Sequence, residues 1–347
     1  EFQSFNYSGI QPCMDIDYFG SCKIKNILRK ALKYMKLKIT AVIFAAAALL
    51  TACNSNTNPA EKIVETAPSN FEYSENSDGT VTITSYKGSS LRIGIPEKID
   101  GKIVSAIGQN AFNGYDDKEV ENSNASIIAV NIPDTVKRIE NGAFANDFKL
   151  KYVKLSANLE VLSESAFASC SILENVEIPK TVTEIGSYAF YKCDGLTEAV
   201  IPDSVEKIGE AAYACSDSIV KAQLSENIDS IPDYLFYECD ALKDINLPAG
   251  ITEIGEGAFA WTAVEKLEIP DKTVSIGDGA FFSCMNLKEI IIPESVKTIS
   301  NESVGYTHDD NNDSVTIESL VIKGKKQSEA ENYANENKIT FEEIQND

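Results

Sequence analysis

The most constraining feature of this sequence is a unit that recurs about every 23 residues. Its clearest copy begins at Ile178-Pro179, passes through Val182, Ile185-Gly186 and Ala189-Phe190, and begins again at Ile201-Pro202. At steps of 23, 23, 23, 23, 23, 22 and 23, the second position of the unit falls at Pro133, Ser156, Pro179, Pro202, Ser225, Pro248, Pro270 and Pro293. A fixed period of this length is typical of a solenoid, in which each unit stacks on its neighbours.

Each unit contains a segment in which apolar and polar residues alternate. In Leu242 to Leu247, Ile245 and Leu247 alternate with polar residues, which is the period of a β-strand. The same pattern recurs in residues 150–155, 173–178, 264–269 and 287–292. We therefore predict one short strand in each coil and a parallel sheet along the stack, with proline ending the strand. The Ala-Phe pair is predicted to fill the opposite wall, and Gly186 to permit a turn.

The pattern I-P-x-x-V-x-x-I-G-x-x-A-F-x-x-C-x-x-L-x-x-V resembles the BspA-type leucine-rich repeat of bacterial surface proteins, from about Phe71 to Ile344. The resemblance implies a repeat solenoid, a right-handed leucine-rich-repeat coil of about 23-residue units. It implies a parallel β-sheet face and β-rich coils with short turns and 3-10 segments. It also implies adhesion to host proteins, other bacteria or surfaces, and it offers no catalytic residue.

The charge distribution separates the first 53 residues from the remainder. Of the 31 basic and 53 acidic side chains, residues 1–53 hold seven and three, so residues 54–347 hold 24 and 50, a net charge of −26. An acidic surface argues against nucleic acid and anionic lipid headgroups as partners. We interpret this excess of acidic residues as a solvated exterior. The alternative is a surface that attracts basic partners or cations.

A lipoprotein export signal is predicted at residues 35–52. Met35 to Lys38 is a short basic region, and Ile39 to Leu50 is an apolar run of 12 residues, too short to span a bilayer. Leu50-Thr51-Ala52-Cys53 then resembles the bacterial lipobox, which implies lipidation of Cys53 and membrane attachment through the lipid anchor only. An ordinary signal peptide or a short anchor helix is the alternative. Residues 1–34 are predicted to be an upstream extension absent from the mature protein.

The rest of the chain is predicted to form a tether, a repeat array and two caps. The boundaries are 53–70 for the lipidated cysteine and flexible tether, 71–94 for an N-terminal β-hairpin cap, 95–300 for the leucine-rich repeats, and 301–347 for a degenerate last repeat with a C-terminal cap. An acidic insertion at Tyr115 to Ser126 is predicted to be a surface loop. Within the last region, Leu320 to Ile322 is predicted as the final strand and Ser328 to Lys338 as a short helix.

The sequence predicts neither an enzyme nor a cofactor. Its one histidine, His308, is interpreted as an exposed loop residue, because no nucleophile or metal-ligand pattern surrounds it. Residues 255–260 fit G-x-G-x-x-A formally, but they are the turn and the Ala-Phe wall of a repeat rather than the start of a nucleotide-binding helix.

No metal site is predicted either. Asp309, Asn311 and Asp313 have the odd spacing of a calcium loop. However, Ser314 and Leu320 stand where an EF-hand requires glycine and a bidentate glutamate. A solvated loop is therefore favoured over a weak calcium site.

Cysteine recurs at one position of the unit, in Cys170, Cys193, Cys239 and Cys284, with Cys215 one place earlier. Neighbouring coils lie about 4.8 Å apart, so a disulfide can form after export. A ladder of buried thiols that act as small apolar side chains is the favoured interpretation.

The outward side of the strands is the predicted binding surface, because solenoids present such extended faces to partners. One predicted row comprises Asn131, Lys154, Glu177, Val200, Gln223, Asn246, Glu268, Ile291 and Val321. The flanking row comprises Tyr152, Asn175, Glu198, Lys221, Asp244, Lys266 and Glu289. Tyr152, Val200 and Ile291 are apolar where water is expected, which indicates contact sites. The single tryptophan, Trp261, is interpreted as filling a shortened turn rather than as an interface anchor.

Two functions of different classes stay open at this point. The first is an exported, lipid-anchored and surface-exposed monomer of the bacterial cell envelope that binds a macromolecule through its strand face. A protein of the host matrix or of a bacterial surface is favoured over a glycan as that partner. The second is a structural spacer or scaffold of the envelope without an extracellular ligand.

Overall fold

A computed structural model describes residues 63–114, 127–309, 311 and 313–344. The predicted signal, Cys53, most of the tether and the acidic insertion at 115–126 lie outside these residues. The described residues of 63–307 and 316–344 belong to one unit, a β-solenoid of about 11 turns with about 23 residues per turn. The predicted fold class is therefore confirmed. Residues 308–315 belong to a second unit.

One side of the coils carries short parallel strands, which we name the front sheet. Its strands are β3 (Arg92–Gly94), β6 (Ala129–Asn131), β8 (Tyr152–Lys154), β11 (Glu198–Val200), β13 (Lys221–Gln223), β15 (Asp244–Asn246), β17 (Lys266–Glu268), β19 (Glu289–Ile291), β23 (Val321–Gly324) and β24 (Thr340–Glu343). The sheet has three parts, in the orders β3-β6-β8, β11-β13-β15 and β17-β19-β23-β24. The second gap falls at the coil that is one residue short, between Pro248 and Pro270.

Most coils also form a second, two-residue strand. These strands are β7 (Arg138–Ile139), β9 (Val161–Leu162), β10 (Glu184–Ile185), β12 (Lys207–Ile208), β14 (Ser230–Ile231), β16 (Glu253–Ile254), β18 (Ser275–Ile276) and β20 (Thr298–Ile299). They pair in parallel, and the earlier part of this second sheet also contains β1 (Phe71–Glu75), β2 (Val81–Tyr86), β4 (Lys98–Ile99) and β5 (Lys102–Ile107). The prediction of one strand per coil was therefore wrong. Two residues are too few to show an alternation in the sequence.

The N-terminal end of the stack is closed by a hairpin and a preceding segment. Strand β1 pairs antiparallel with β2, which in turn pairs parallel with β5. The Thr66 amide donates to the Gly94 carbonyl oxygen at 2.7 Å, and a 3-10 helix follows at Pro68–Asn70. Part of the segment assigned to the tether is thus bound to the first coil.

The C-terminal end is closed by a helix and one more strand. Helix α1 (Glu329–Glu336) buries Ala330, Tyr333 and Ala334, and the Tyr333 hydroxyl lies 3.1 Å from both the amide and the carbonyl oxygen of Val304. Strand β24 then pairs in parallel with β23, so the prediction that residues 320–322 form the final strand was wrong. A short pair of strands, β21 (Tyr306–His308) and β22 (Ser314–Thr316), precedes this cap.

A ladder of stacked aromatic rings runs through the core. Successive ring centroids lie 4.9–6.0 Å apart, with interplanar angles of 3–24°. Its members are Phe112, Phe144, Phe167, Phe190, Tyr213, Phe236, Phe259 and Phe281, all buried. The predicted Ala-Phe wall thus contributes its rings to the interior, where each ring from Phe144 to Phe259 packs between those of the coils before and after it.

The five cysteines in the described part of the chain form the predicted ladder of buried thiols, and none of the five is in a disulfide. Each thiol at the recurring position donates to the carbonyl oxygen of the ladder aromatic in the preceding coil, as Cys170 does to Phe144 at 3.1 Å and Cys193 to Phe167 at 3.2 Å. In the coil where cysteine is shifted, the Ser216 hydroxyl makes this bond to Phe190 at 2.9 Å. Burial raises the pKa of these thiols, for Cys284 to about 11.

The repeat glycine is required for a different reason from the one predicted. Gly186 does not have a positive φ, so it does not supply a turn that other residues would resist. Instead, a Cβ at Gly186 would lie 2.4 Å from the Glu164 amide nitrogen of the preceding coil. At Gly209 a Cβ would lie 2.2 Å from the Ser187 amide nitrogen. These glycines let neighbouring backbones approach closely enough to pair.

Replacement of Gly209 by alanine is therefore expected to lower the free energy of unfolding by about 1–3 kcal/mol, because the backbone of two coils must move apart. Urea unfolding followed by circular dichroism measures this change. Gly250→Ala is the matched control, since its Cβ would meet Ile228 O at an ordinary 3.4 Å and its φ is not positive. Equal losses in the two variants would contradict this explanation.

Candidate interaction face

The front face is the solvent side of the front sheet, formed by the first and third residues of its strands. The central residue of each three-residue strand is buried, as Val153, Ala199 and Ile290 illustrate. The third residues include Asn131, Lys154, Val200, Gln223, Asn246, Glu268 and Ile291, and the first residues include Tyr152, Glu198, Lys221, Asp244, Lys266 and Glu289. All of these side chains are exposed or half-buried. Their placement in two rows follows the alternation read from the sequence.

The register of the last coil differs from the prediction. Ile291 lies opposite Lys323, and Val321 lies opposite Glu289. Val321 therefore belongs to the first-residue row, and Lys323 takes the place assigned to Val321. The reason is that the coil before β23 contains the strands β21 and β22, so counting repeats does not reach the correct residue.

Two predicted members of the face, Asn175 and Glu177, do not lie on a strand. Residues 173–179 form no strand, although their apolar-polar pattern matches that of the neighbouring coils. Asn175 has a φ of 41°, in the left-handed region that asparagine tolerates better than most residues. This conformation interrupts the extended backbone, and it leaves Val176 half-buried where the equivalent residues in other coils are buried. The front sheet is consequently broken between β8 and β11.

Charges of opposite sign alternate along the first-residue row. Lys266 Nζ lies 2.6 Å from Glu289 Oε1, and Lys323 Nζ lies 2.8 Å from Glu289 Oε2. These two lysines hold the pKa of Glu289 below its ordinary value. Lys221 Nζ lies 4.0 Å from Asp244 Oδ2 in the middle part of the sheet. Exposed pairs of this kind stabilise the fold little, so their main effect is to set the pattern of potential on the face.

Apolar side chains interrupt this polar face at a few places. Val200 is 46% exposed, whereas Tyr152 and Ile291 are half-buried. Sequence reasoning missed Phe148 and Ile172, which precede the strand position and are 47% and 44% exposed. They occupy positions that hold polar or small residues in most other coils, so a comparison of coil against coil would have found them.

The Trp261 side chain packs against Phe282 rather than projecting into solvent. Its ring centroid lies 6.2 Å from that of Phe282, and its amide donates to the Phe282 carbonyl oxygen at 2.8 Å. The side chain is half-buried, which supports the packing interpretation.

The residues that the sequence offered for metal binding or catalysis have structural positions in the last coil. Asp309 Oδ1 accepts the amide hydrogens of Asn311 at 2.7 Å and of Asp313 at 2.9 Å, which is a turn made by the carboxylate itself. Throughout the described ranges, no group of three or more His, Cys, Asp or Glu side chains is arranged to hold a metal ion. His308 lies on β21 and is half-buried, so its interpretation as an exposed loop residue was wrong.

No helix in the part of the chain that the structure describes has the length and apolarity needed to cross a bilayer.

Comparison with known proteins places these features in a family. The model of the BspA type leucine-rich repeat region matches residues 118–239 and 206–328, with six copies. The chain is similar to the crystal structure of a leucine-rich repeat protein from T. pallidum, with 26% identity and a TM-score of 0.53 over 65% of this chain and 91% of that one. It shares the fold of a leucine-rich repeat protein from Bacteroides ovatus, with 20% identity and a TM-score of 0.51 over 82% of this chain and all of that one. None of the curated proteins compared with the chain matches it.

Proposed function

The chain belongs to the BspA-type leucine-rich repeat family, and from this premise we propose that it is a lipid-anchored bacterial surface protein that binds a protein partner through its front face. Proteins of this family are typically found at the bacterial surface, and leucine-rich-repeat proteins are typically not enzymes. Cys53 is the residue proposed to carry the lipid. The mechanism is non-covalent contact along a rigid sheet.

The observation that carries this proposal is the pair of exposed side-chain rows on a fixed register. In the middle part of the sheet, Val200, Gln223 and Asn246 lie directly opposite one another on neighbouring strands. Glu198, Lys221 and Asp244 form the row beside them. The backbone of each strand is held by its neighbours, so little conformational entropy is lost when a partner contacts this face. A long, pre-organised surface of mixed polarity is typical of solenoid binding sites.

The test is direct binding of the purified full chain to immobilised matrix proteins, mucins and a glycan array. A front-face variant, Val200→Ala with Lys221→Ala and Gln223→Ala, is expected to bind at least about tenfold more weakly, because it removes a central contact region. The matched control is Lys207→Ala with Glu253→Ala, two exposed changes on the second sheet. Equal binding by the folded front-face variant and the control would contradict a role for this face.

A structural spacer within the envelope is the second candidate, supported by the same rigid stack of coils. Protease treatment of intact cells distinguishes the two. A surface protein loses its repeat domain under this treatment, whereas a spacer that faces the periplasm stays intact until the outer barrier is opened. Resistance in intact cells, together with no binding to any immobilised partner, would favour the spacer.

A further inference from the structure

The coil that contributes β8 to the front sheet carries an unusual concentration of positive charge. Lys149, Lys151 and Lys154 lie within six residues, beside Tyr152, and all three are exposed or half-buried. The next coil holds Ile172, Glu174 and Glu177 at the equivalent positions. Among the described coils, no other coil has lysine at more than one of these three positions. On a chain with a formal net charge of −22, this coil is therefore a local exception.

The lysines differ in how far they are already neutralised. Lys151 Nζ lies 3.3 Å from Glu174 Oε1 and 5.1 Å from the centroid of the Tyr152 ring. Lys149 and Lys154 are seen in no ion pair among the described residues. Two of the three ammonium groups can therefore pair with carboxylates of a partner without first breaking an ion pair with the described residues.

Exposed apolar side chains lie next to these lysines. Phe148 directly precedes Lys149, and the repeat places Ile172 one coil further on, at the position equivalent to Lys149. The bond from the Glu174 amide to the Lys151 carbonyl oxygen, at 2.9 Å, confirms this register. Val176 is also half-buried because the strand is broken at Asn175. Exposed apolar groups surrounded by charge are typical of contact sites.

We propose that these residues, Phe148, Lys149, Lys151, Tyr152, Lys154 and Ile172, form a docking patch for an acidic polypeptide segment that carries apolar side chains. This inference rests on the proposed function and specifies the chemistry of the partner. Carboxylates of the segment pair with Lys149 and Lys154, while its apolar side chains cover Phe148 and Ile172.

Charge complementarity also explains why the patch directs binding. The chain carries a formal net charge of −22, so an acidic segment is repelled by much of the surface and is attracted most strongly where lysines are concentrated. The broken sheet at residues 173–179 places the half-buried Val176 beside the charged coil. The patch thus combines electrostatic attraction with apolar contact.

The experiment measures binding of the full chain to a fluorescein-labelled peptide in which the sequence Glu-Glu-Phe-Glu-Glu-Leu occurs twice. Comparison probes are the same peptide with glutamine for glutamate, an all-glutamate peptide, and heparin as a sulfated glycan. The patch variant is Lys149→Glu with Lys154→Glu, and the apolar variant is Phe148→Ser with Ile172→Ser. The matched control is Lys243→Glu with Lys272→Glu, which makes the same change of charge at exposed lysines elsewhere.

Saturable binding of the acidic-apolar peptide is expected, with a loss of about tenfold or more in the patch variant and weaker binding at higher salt. The apolar variant is expected to lose at least about fivefold, and the control less than about twofold. An absence of peptide binding, an equal loss in the control, or binding of heparin alone would overturn the proposal. If the patch variant still binds the partner found on immobilised proteins while the Val200 variant does not, the front face stands and only the patch fails.

Discussion

Replacement of Phe190 by alanine is expected to lower the free energy of unfolding by about 3–5 kcal/mol. The ring is buried, and its centroid lies 5.6 Å from that of Phe167 and 5.1 Å from that of Tyr213. The substitution removes contacts with both rings and leaves a cavity in a close-packed interior. Because a coil contacts only its neighbours in the stack, the loss weakens two coil-coil interfaces at once. Urea unfolding followed by circular dichroism measures the effect.

Tyr188→Ala serves as the control in the same coil. Its ring is half-buried and packs edge-on against Tyr191, with its hydroxyl 3.1 Å from Glu210 Oε1. Truncation at this edge leaves a smaller cavity that water can fill, so the expected loss is about 1 kcal/mol. Similar losses in the two variants would show that the ladder is not a special source of stability.

The ladder illustrates what was accessible from the sequence. A residue that recurs at a constant period occupies the same place in every coil. The recurring Ala-Phe pair therefore predicted the aromatic wall, and the recurring cysteine predicted the ladder of buried thiols. The central residues of the front strands were equally accessible, because burial on one side imposes a period of two. The fold class and the two rows of the front face follow from these periodicities alone.

Local exceptions were not accessible in the same way. Residues 173–178 have the same alternation as the coils around them, yet Asn175 adopts a left-handed conformation and no strand forms. The second strand of each coil is only two residues long and therefore has no periodicity of its own. The register of Lys323 depends on the extra strands in the last coil, whose length interrupts the repeat. None of these features has a periodic signal in the sequence.

Only part of the candidate site could be predicted from the sequence. The rows of the front face could be predicted, but the concentration of lysine and exposed apolar side chains at 148–154 emerges only when equivalent positions are compared across the stack. Lipidation of Cys53 stays a prediction that depends on the lipobox resemblance, since this residue lies outside the described part of the chain.

Asp147 is a further local exception, and it predicts a strong pH dependence of stability. It occupies the repeat position at which Cys170, Cys193 and Ser216 donate to a carbonyl oxygen of the preceding coil. The side chain is fully buried, and none of the described residues forms a hydrogen bond with its Oδ2. A protonated carboxyl group has an O–H donor, as a thiol or hydroxyl does, whereas a carboxylate has none. The position therefore favours the neutral acid.

Burial raises the pKa of Asp147 to about 8, although the amides of Lys149 and Leu150 act in the opposite direction. In the unfolded chain the same group releases its proton near pH 4. Between these values the native state binds more protons than the unfolded state, so the free energy of unfolding falls as pH rises. The difference between these two pKa values corresponds to roughly 5 kcal/mol of stability, which is lost between about pH 4 and pH 8.

Asp147→Asn is therefore expected to have nearly the stability of the natural chain at about pH 4 and to exceed it by several kcal/mol at about pH 8.5, because asparagine does not ionise and supplies an N–H donor. Urea unfolding at intervals between these pH values gives the difference in free energy between the two chains, which cancels the titration of all other groups. Asp271→Asn, which makes the same change at an exposed side chain, is the matched control. A difference between Asp147→Asn and the natural chain that stays constant with pH would mean that the carboxyl group of Asp147 has the same pKa in the folded and the unfolded chain. In that case a carboxylate would be tolerated at the repeat position where thiols and hydroxyls donate in other coils. The hypothesis that this position favours the protonated form of Asp147 would then be wrong.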